Sequence, residues 1–325
     1  MHRNILIALY IGCLAISFHP MSHAFIARNI IAVGSNVVLS SPDAEIWTPN
    51  QVTNTVHLSD VVLANNQYII AGQCRLNLKS SLGTTWSSYK TPFCFERMIW
   101  SHQQYFALFN DADTTSATIY TSKSGAHFKK RFFGLDLAVK GIARGRGRYV
   151  GVGYHAVNPD PNDFGLILTS RDGRKWRQLQ NTHIPGQLYD IVWGKNQFVA
   201  VGTVILTSPD GKTWTHHPLN SAVRLLSVAW NLQHFVAVGF DGVILTSQDG
   251  VNWTQQSSGT VRNLNRVVWV NNGNQFVAVG SFGTILTSPN GIDWTPQVSG
   301  TTLPLSGVAG PEPRTDPSRT TKREK

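Results

Sequence analysis

Three identical pentapeptides, FVAVG, lie at Phe198–Gly202, Phe235–Gly239 and Phe276–Gly280. Four related segments precede them in the chain: Ile30–Gly34 (IIAVG), Tyr68–Gly72 (YIIAG), Tyr105–Phe109 (YFALF) and Tyr149–Gly153 (YVGVG). Successive copies begin 37 to 49 residues apart. A period of about 40 residues is typical of a β-propeller, in which each repeat forms one blade of four strands. Seven copies therefore predict seven blades.

The repeat around the first FVAVG copy shows how one blade is built. Leu188–Trp193 and Gln197–Gly202 alternate as a first and a second strand, and Val204–Ser208 and Thr213–His217 follow as the third and fourth. Asp210-Gly211 separates the last two strands and predicts a two-residue type I′ turn, in which both residues have positive φ. The same pair recurs as Asp172-Gly173, Asp249-Gly250 and Asn290-Gly291, and the earlier repeats carry degraded copies.

The two ends of the repeat region complement each other. No first strand fits between Phe25 and Ile30, whereas Leu303–Ala309 resembles a first strand with no second strand after it. Pairing of these two ends removes both exposed sheet edges. The sequence therefore predicts an all-β fold, a seven-bladed β-propeller of four-stranded antiparallel blades whose ring is closed by the C-terminal strand joining the N-terminal blade.

The first residues indicate export. Ile5–Phe18 is an apolar run behind a basic start, and Ser22-His23-Ala24 forms a small-x-small cleavage site. The run is too short to span a bilayer. We expect a signal peptide at 1–24, the propeller at 25–310 and a disordered basic tail at 311–325. The mature protein is then periplasmic or secreted, and not membrane-spanning.

Composition excludes several classes of protein. Only 14% of the 325 residues are charged, and glutamate occurs four times, which argues against coiled coils, helical bundles and helical solenoids. The formal net charge is +10. In an exported protein this charge favours an acidic protein surface, an acidic glycan or an anionic membrane surface over nucleic acid. We expect a monomer with no cofactor.

The ten tryptophans fall into two structural positions. Seven aromatic residues follow the turn between the third and fourth strands, namely Trp47, Trp86, Phe128, Trp176, Trp214, Trp253 and Trp294. The other four tryptophans end a first strand: Trp100, Trp193, Trp230 and Trp269. Packing between blades accounts for all of them, so no tryptophan is expected to serve as a stacking platform for a ligand.

Thr207–Trp214 (TSPDGKTW) and its copies resemble the Asp-box, or BNR, repeat of sialidase-superfamily propellers. The overall pattern, over about Ile30–Ala309, is also similar to propellers of the photosystem II assembly-factor type and to exported bacterial repeat proteins of unknown function. Asp210 stands one position closer to Trp214 than the aspartate of the common Asp box. Because the Asp box is structural in that superfamily, the resemblance implies a structural role for Asp172, Trp176, Asp210, Trp214, Asp249, Trp253, Asn290 and Trp294.

A sialidase-like active site needs an arginine cluster, a Tyr–Glu nucleophile pair and an acidic proton donor. Only Glu45 and Glu96 lie in the expected propeller, the N-terminal Arg-Ile-Pro element is missing, and Glu96 has no evident partner. No Ser-His-Asp motif, phosphate-binding loop or zinc spacing is present either. We therefore assign no catalytic residue.

Strand order fixes which connections share an end of the propeller. Connections between second and third strands, and between blades, lie at one end, here called the loop end. The remaining turns lie at the opposite, turn end. Cys74 and Cys94 both belong to the loop end of the second blade, so we expect a disulfide, with free thiols as the alternative. The irregular loops of blades 2–4 form a candidate binding mouth there: Asp111, Asp113, Tyr154, His155, Asn158, Asp160, Asn162 and Asp163.

The long insertion His155–Phe164 places hard oxygen ligands at alternating positions, as Ca²⁺ sites do. Asp160 and Asn162 are the calcium candidates. Pro159 and Pro161 restrict the backbone, however, and the EF-hand glutamate is missing. A solvated polar loop is the preferred interpretation, and no metal is assigned.

A candidate basic patch lies at the turn end of blade 4. Its residues occupy the turn between the first two strands and flank the Asp-Gly turn: Arg144, Arg146, Arg148, Arg171, Arg174 and Lys175. Lys123, Lys129 and Lys130 of blade 3 are expected nearby. Closely set cations reinforce one another's field and attract anions. An ordinary solvated rim of a basic protein is the alternative.

Two functions remain open on the sequence. The first is an exported, non-enzymatic propeller that binds a protein partner or assists assembly. The alternative is a glycan-binding or glycoside-hydrolysing, sialidase-like propeller, for which spare aromatic residues near the mouth supply stacking surfaces. These residues are Phe93, Phe95, Phe132, Phe133, Tyr154 and Phe164.

Overall fold

The computed structural model describes residues 28–50, 52, 57–72, 75–156, 165–180, 184–219, 223–271 and 273–311. They form seven sheets, each of four antiparallel strands. The predicted signal peptide and residues 312–325 of the predicted tail lie outside these ranges. In the described part of the chain, no helix is long and apolar enough to cross a membrane.

The strands of the seven blades follow one another along the chain. Blades 1–3 contain β1 (Ile30–Gly34), β2 (Val37–Ser41) and β3 (Thr48–Pro49); β4 (Leu58–Ala64), β5 (Gln67–Gly72), β6 (Leu76–Ser80) and β7 (Ser87–Lys90); and β8 (Arg97–Ser101), β9 (Gln104–Asp111), β10 (Ser116–Ser122) and β11 (Lys129–Leu135). Blades 4–7 contain β12 (Leu137–Gly145), β13 (Arg148–His155), β14 (Gly165–Ser170) and β15 (Arg177–Gln178); β16 (Leu188–Gly194), β17 (Gln197–Gly202), β18 (Ile205–Ser208) and β19 (Thr215–His217); β20 (Leu225–Trp230), β21 (Phe235–Gly239), β22 (Ile244–Ser247) and β23 (Thr254–Gln256); and β24 (Leu264–Val270), β25 (Gln275–Gly280), β26 (Ile285–Ser288) and β27 (Thr295–Gln297). Short 3₁₀ turns at Phe240–Gly242 and Ser281–Gly283 follow β21 and β25.

The last strand, β28 (Leu305–Ala309), closes the ring as predicted. It is the innermost strand of blade 1 and pairs antiparallel with β1, so that Ala32 lies opposite Val308. Blade 1 is therefore built from both ends of the described chain. The prediction of seven four-stranded blades is likewise confirmed.

The second strands form the buried layer of each blade. Every residue of β21 is buried, because both faces of this strand pack against neighbouring blades. One core cluster, for example, joins Val236 and Val238 of blade 6 to Phe276 and Ala278 of blade 7. This burial on both faces explains why the FVAVG copies are continuous apolar runs without polar alternation.

The predicted type I′ turns at the Asp-Gly pairs are wrong. In blade 6, Gly250 has φ 75°, but Asp249 is not in the left-handed region, and six residues separate β22 from β23. The Asp249 side chain accepts the backbone N–H groups of Val251 (2.9 Å) and Asn252 (2.8 Å), and Ser247 Oγ accepts that of Gly250 (2.8 Å). These side-chain hydrogen bonds replace the tight hairpin with a longer loop. Positive φ at two consecutive positions occurs instead between first and second strands, as at Lys195 and Asn196.

Candidate functional site

The first strands of the seven blades surround a cavity of about 700 Å³ on the propeller axis. It extends from the middle of these strands to Lys195, Asn196 and Leu232, which belong to turns at the turn end. No ligand class was assigned to this region from the sequence. The wall has two levels of functional side chains. Each level consists of residues at equivalent positions of the seven repeats.

The inner level is a polar ring, formed by one residue of each first strand at the same register. Each member faces the equivalent position of the second strand, as Asp60 faces Ala71 and Gly307 faces Val33. A register shift directly precedes the ring residue in every blade except blade 3, whose first strand begins at Arg97. In blade order the ring consists of Gly307, Asp60, Arg97, Gly141, Asp190, Ser227 and Arg266. The ring thus holds two aspartates, two arginines and three small residues.

Asp190 is the polar-ring residue whose hydrogen bonds link blade 5 to blades 3 and 6. Its Oδ1 accepts hydrogen bonds from Arg97 Nη2 (2.7 Å) and from the backbone N–H of Ile191 (2.7 Å). Its Oδ2 accepts from Ser227 Oγ (2.9 Å) and Val228 N–H (3.1 Å) of blade 6. Burial raises the pKa of Asp190 and Arg97 opposes that shift. Because every one of these partners donates, the carboxylate form is the one that satisfies them all.

Arg97 crosses from blade 3 to blade 5. Besides the ion pair with Asp190, its Nη1 donates to the carbonyl of Lys140 (2.8 Å) and to that of Tyr189 (3.3 Å). Blade 4 carries Gly141 at this level, and a Cβ there would come within 3.2 Å of the Asp190 carboxylate. The glycine therefore leaves the space through which the arginine reaches its partner.

Arg266 is the least satisfied charge of the polar ring. Its side chain is 18% exposed, and Nη1 lies 3.5 Å from Asp190 Oδ2. Among the described residues this is the only acceptor in reach of the guanidinium. Its Nε is buried without a partner in the same part of the chain, as are the Nε atoms of Arg97 and Arg144.

Asp60 occupies the polar ring position of blade 2 and binds blade 3. Its two oxygens accept the backbone N–H groups of Val61 (2.9 Å) and Met98 (3.1 Å). Burial raises the pKa of Asp60 to about 6, and the nearby charge of Arg97 and the hydrogen bonds reduce the shift. The folded protein thus binds a proton here more readily than the unfolded chain, in which this carboxyl has its ordinary pKa of 3.8.

This shift predicts a pH dependence of stability. Because the folded pKa exceeds the unfolded one, ionised Asp60 destabilises the fold above pH 6, and the penalty is relieved as pH falls towards 4. Two pKa units correspond to about 3 kcal/mol. Relative to Asp60→Asn, the wild-type free energy of unfolding should rise by about that amount between pH 7 and 4. Urea titrations of both proteins test this, and parallel pH curves would contradict it.

The outer level of the cavity wall is the rim. It contains the residue three positions after each member of the polar ring, namely Gly310, which directly follows β28, and Leu63, Trp100, Arg144, Trp193, Trp230 and Trp269 of the other first strands. The tryptophans pack on the second strands, with Trp230 at 4.1 Å between ring centroids from Phe235 and Trp269 at 4.7 Å from Phe276. Trp230 also packs against Val199 of blade 5, and Trp269 against Val236 of blade 6, so packing between blades is part of their role, as predicted. All four tryptophans are half-buried and line the cavity. That none of them serves as a stacking platform stays a prediction.

The predicted mouth lies at the loop end and is described only in part. Asp111 Oδ1 accepts the backbone N–H of Asp113 (3.0 Å), so this aspartate shapes its own turn. Tyr154 packs against Tyr189, with ring centroids 5.8 Å apart, and His155 Nε2 lies 3.4 Å from the Gln178 amide. The other four mouth residues, Asn158, Asp160, Asn162 and Asp163, lie outside the described residues. A binding role for this mouth stays a prediction.

Two donors bind Glu96, although neither is a tyrosine or carboxylate partner of the kind that sialidase-like catalysis needs. One of its oxygens, Oε2, accepts from Lys140 Nζ (3.0 Å) and from Asn110 Nδ2 (2.8 Å). These donors belong to blades 3 and 4 and meet only after folding, which is why the sequence did not reveal them.

The cysteine and metal predictions remain open. Cys94 carries a half-buried free thiol, and Cys74 lies outside the described residues, so their disulfide stays a prediction. The calcium candidates Asp160 and Asn162 lie outside them as well. Within the described ranges, no group of three His, Cys, Asp or Glu side chains is arranged to hold a metal ion.

The aromatic residues proposed for glycan stacking divide into two groups. Phe95 is fully buried, Phe93 lies 4.6 Å from the Tyr120 ring, and Phe132 packs in the core beside blade 4. These three are structural. Phe133 is exposed beneath Lys130, Tyr154 is half-buried, and Phe164 lies outside the described residues.

The candidate basic patch is formed at the turn end of blade 4. Arg146 and Gly147 make the turn from β12 to β13 with φ 45° and 72°, and Tyr149 pairs with Ser170, which brings the two basic turns side by side. Arg146, Arg171, Arg174 and Lys175 are exposed. Arg144 stacks on Tyr149 at 5.1 Å and belongs to the rim. The described residues place no carboxylate within ion-pair distance of any of the six cations.

Comparison with known proteins shows the fold alone. No family model matches the chain, and no curated protein matches it. Solved structures do. The fold is similar to that of YCF48 bound to D1 peptide (18% identity, TM-score 0.61, covering 81% of this chain and 90% of that one). YCF48 from Cyanidioschyzon merolae (16%, 0.58, 80% and 90%) and virginiamycin B lyase from Staphylococcus aureus with quinupristin (14%, 0.62, 77% and 87%) are also similar.

Proposed function

We propose that this protein is an exported, non-enzymatic scaffold whose basic patch binds an acidic segment of a partner protein. The observation that carries the proposal is a set of four exposed cations on two adjacent turns: Arg146, Arg171, Arg174 and Lys175. None of them has a carboxylate partner among the described residues. Unpaired cations on neighbouring turns sum to a local positive potential, which attracts acidic chains and speeds their association.

The fold supports the same conclusion. A propeller of similar architecture is known bound to a peptide, so the ring can present a rigid peptide-binding surface. The structural role of the Asp-box-like turns fits this proposal, since Asp172 Oδ1 accepts the backbone N–H groups of Arg174 (2.8 Å) and Lys175 (3.0 Å). These hydrogen bonds lower the pKa of Asp172 and fix the backbone that carries two of the cations.

The proposal predicts a charge-dependent loss of binding. A fluorescein-labelled oligoglutamate peptide serves as probe, and fluorescence anisotropy measures its affinity at low and high salt. Changing Arg146, Arg174 and Lys175 together to Glu should weaken binding at low salt at least about tenfold, because the local potential reverses sign. The wild-type affinity should fall as salt rises.

The matched control changes the same net charge elsewhere. Arg75, Lys79 and Lys90 are exposed cations of blade 2, and their triple change to Glu should weaken binding no more than about threefold. Equal weakening in both triple variants would show that the probe senses net charge only, and would reject the basic patch as the site.

Glycan recognition remains the alternative function. Two aromatic faces support glycan recognition, because each lies beside a cation. Lys130 Nζ lies over the exposed Phe133 ring, and Lys140 Nζ lies over the half-buried Tyr154 ring. Replacing the peptide with an acidic polysaccharide in the same assay separates the two. Retention of the polysaccharide by the triple variant of the basic patch, with no peptide binding by the wild type, would favour the glycan.

A further inference from the structure

We propose that the axial cavity binds a small organic carboxylate with an apolar or aromatic body. The carboxylate lies against the guanidinium groups of Arg97 and Arg266, and the body lies against the rim tryptophans. This site shares only Arg144 of the rim with the basic patch, whose other five cations do not line the cavity. It goes beyond the proposed function. It rests on the charge, the unsatisfied donors and the wall of the cavity.

The charge of the cavity wall favours an anion. Four cations line it, Arg97, Arg144, Lys195 and Arg266, and one lining carboxylate, that of Asp190. Asp60 of the polar ring is buried and does not reach the cavity surface. The Asp190 carboxylate is already saturated by Arg97, Ser227 and two backbone N–H groups. A second carboxylate therefore finds cationic donors that Asp190 leaves over. Of the two polar-ring arginines, Arg266 is the more exposed and makes the fewer hydrogen bonds.

The unsatisfied donors point in the same direction. The Nε atoms of Arg97, Arg144 and Arg266 are buried, and the described residues offer them no acceptor. A buried donor without a partner destabilises the fold, and each such group calls for an explanation such as water or a ligand. Arg266 uses one long contact to Asp190 among its five N–H groups. Guanidinium groups bind carboxylates in a planar, two-point geometry that such free donors allow.

The remainder of the wall is apolar. Trp100, Trp193, Trp230 and Trp269 form most of the rim, and Val192, Ala229, Val268 and Ala309 lie between the rim and the polar ring. A cavity of about 700 Å³ falls within the range that holds ligands of drug-like size, and such sites combine apolar walls with a few polar anchors. Indole faces stack well on aromatic rings. Hydrophilic sugar acids fit this wall poorly, because their hydroxyl groups lose water without gaining partners.

The test is calorimetric titration of the full chain with 3-phenylpropionate and with its uncharged amide. We expect the acid to bind and the amide to bind at least about tenfold more weakly, because only the acid pairs with the arginines. Intrinsic tryptophan fluorescence should change with the same midpoint, since four of the ten tryptophans line the cavity. Equal affinity for acid and amide, or no binding of the acid up to about 10 mM, would overturn the proposal.

Substitution of Arg266 locates the site. Arg266→Met should weaken binding of the acid at least about tenfold, whereas Arg262→Met, at an exposed arginine stacked on Phe282, should leave it within about twofold. Methionine retains much of the length of the arginine side chain, and Asp190 keeps its closer ion pair with Arg97 (2.7 Å), so folding is retained. Arg266→Lys, which keeps the charge but loses the planar donor pair, should bind with intermediate affinity. Wild-type affinity in Arg266→Met would exclude the cavity.

Two further probes identify the source of the carboxylate and the nature of the body. N-acetylphenylalanine mimics the end of a polypeptide, so tighter binding than 3-phenylpropionate would assign the site to a chain terminus. Weaker binding would assign it to a free acid. Glucuronate carries the same charge on a hydrophilic body, and affinity equal to that of 3-phenylpropionate would contradict the apolar part of the proposal.

Discussion

Asp190→Asn should lower the free energy of unfolding by about 3–5 kcal/mol, the usual cost of leaving buried charges without their partner. Asparagine keeps the shape of the side chain, but its amide cannot accept from Arg97 while the remaining oxygen serves Val228 or Ser227. Arg97 is 15% and Arg266 18% exposed, so water replaces the lost carboxylate poorly. For a chain of this size the loss corresponds to roughly 10 °C in Tm.

The matched control is Asp60→Asn at the same register of blade 2. The Asp60 carboxylate accepts hydrogen bonds from two backbone N–H groups and from no guanidinium. Asparagine also removes the cost of burying a charge at this position, the effect that raises the pKa of Asp60. We expect a change of no more than about 1 kcal/mol at pH 7. Urea unfolding of the three proteins measures both effects. Equal losses in the two variants would mean that the ion pairs of Asp190 do not stabilise the ring.

The repeats predict the fold better than they predict the cavity, because the fold is encoded within single strands. Each FVAVG copy reports a strand buried on both faces, and this property belongs to a single segment. The seven copies and the missing first strand before Ile30 therefore sufficed to predict the number of blades and their closure. The turn type at Asp249-Gly250 was wrong because side-chain hydrogen bonds of Ser247 and Asp249 compete with the tight hairpin.

The polar ring could not be predicted in the same way, because it exists only between blades. Asp60, Arg97, Asp190 and Arg266 are separated by 37, 93 and 76 residues along the chain, and each one alone fits the polar half of an alternating strand. The signal available in the sequence was their shared position, three residues before a rim residue of the same repeat. Aligning the repeats on Trp100, Trp193 and Trp269 places Arg97, Asp190 and Arg266 at one level.

Removing residues 303–325 should abolish cooperative folding, which is the largest effect that the structure predicts. The deletion takes away β28, whose Leu305 and Val308 are fully buried, and leaves β1 with an unpaired edge. Burial of two such side chains contributes about 3–6 kcal/mol. The lost backbone hydrogen bonds to β1 and the open ring add to this, against a net stability of only about 5–15 kcal/mol for a domain. Circular dichroism during urea unfolding measures the loss.

A chain that ends at Pro311 is the matched control, because it keeps β28 and the hydrogen bond from Asn271 N–H to the Pro311 carbonyl. It should unfold with the midpoint of the full chain. Adding a synthetic peptide of residues 303–311 to the shorter chain should restore a cooperative transition, since a separate strand can pair with the exposed edge of β1. In the restored fold Gly307 of the peptide packs against Asp60, and a Cβ at Gly307 would lie 2.8 Å from the Asp60 carboxylate. A peptide with Gly307→Ala should therefore restore the cooperative transition less well. An unchanged urea midpoint in the chain without residues 303–325 would show that the ring does not depend on its last strand.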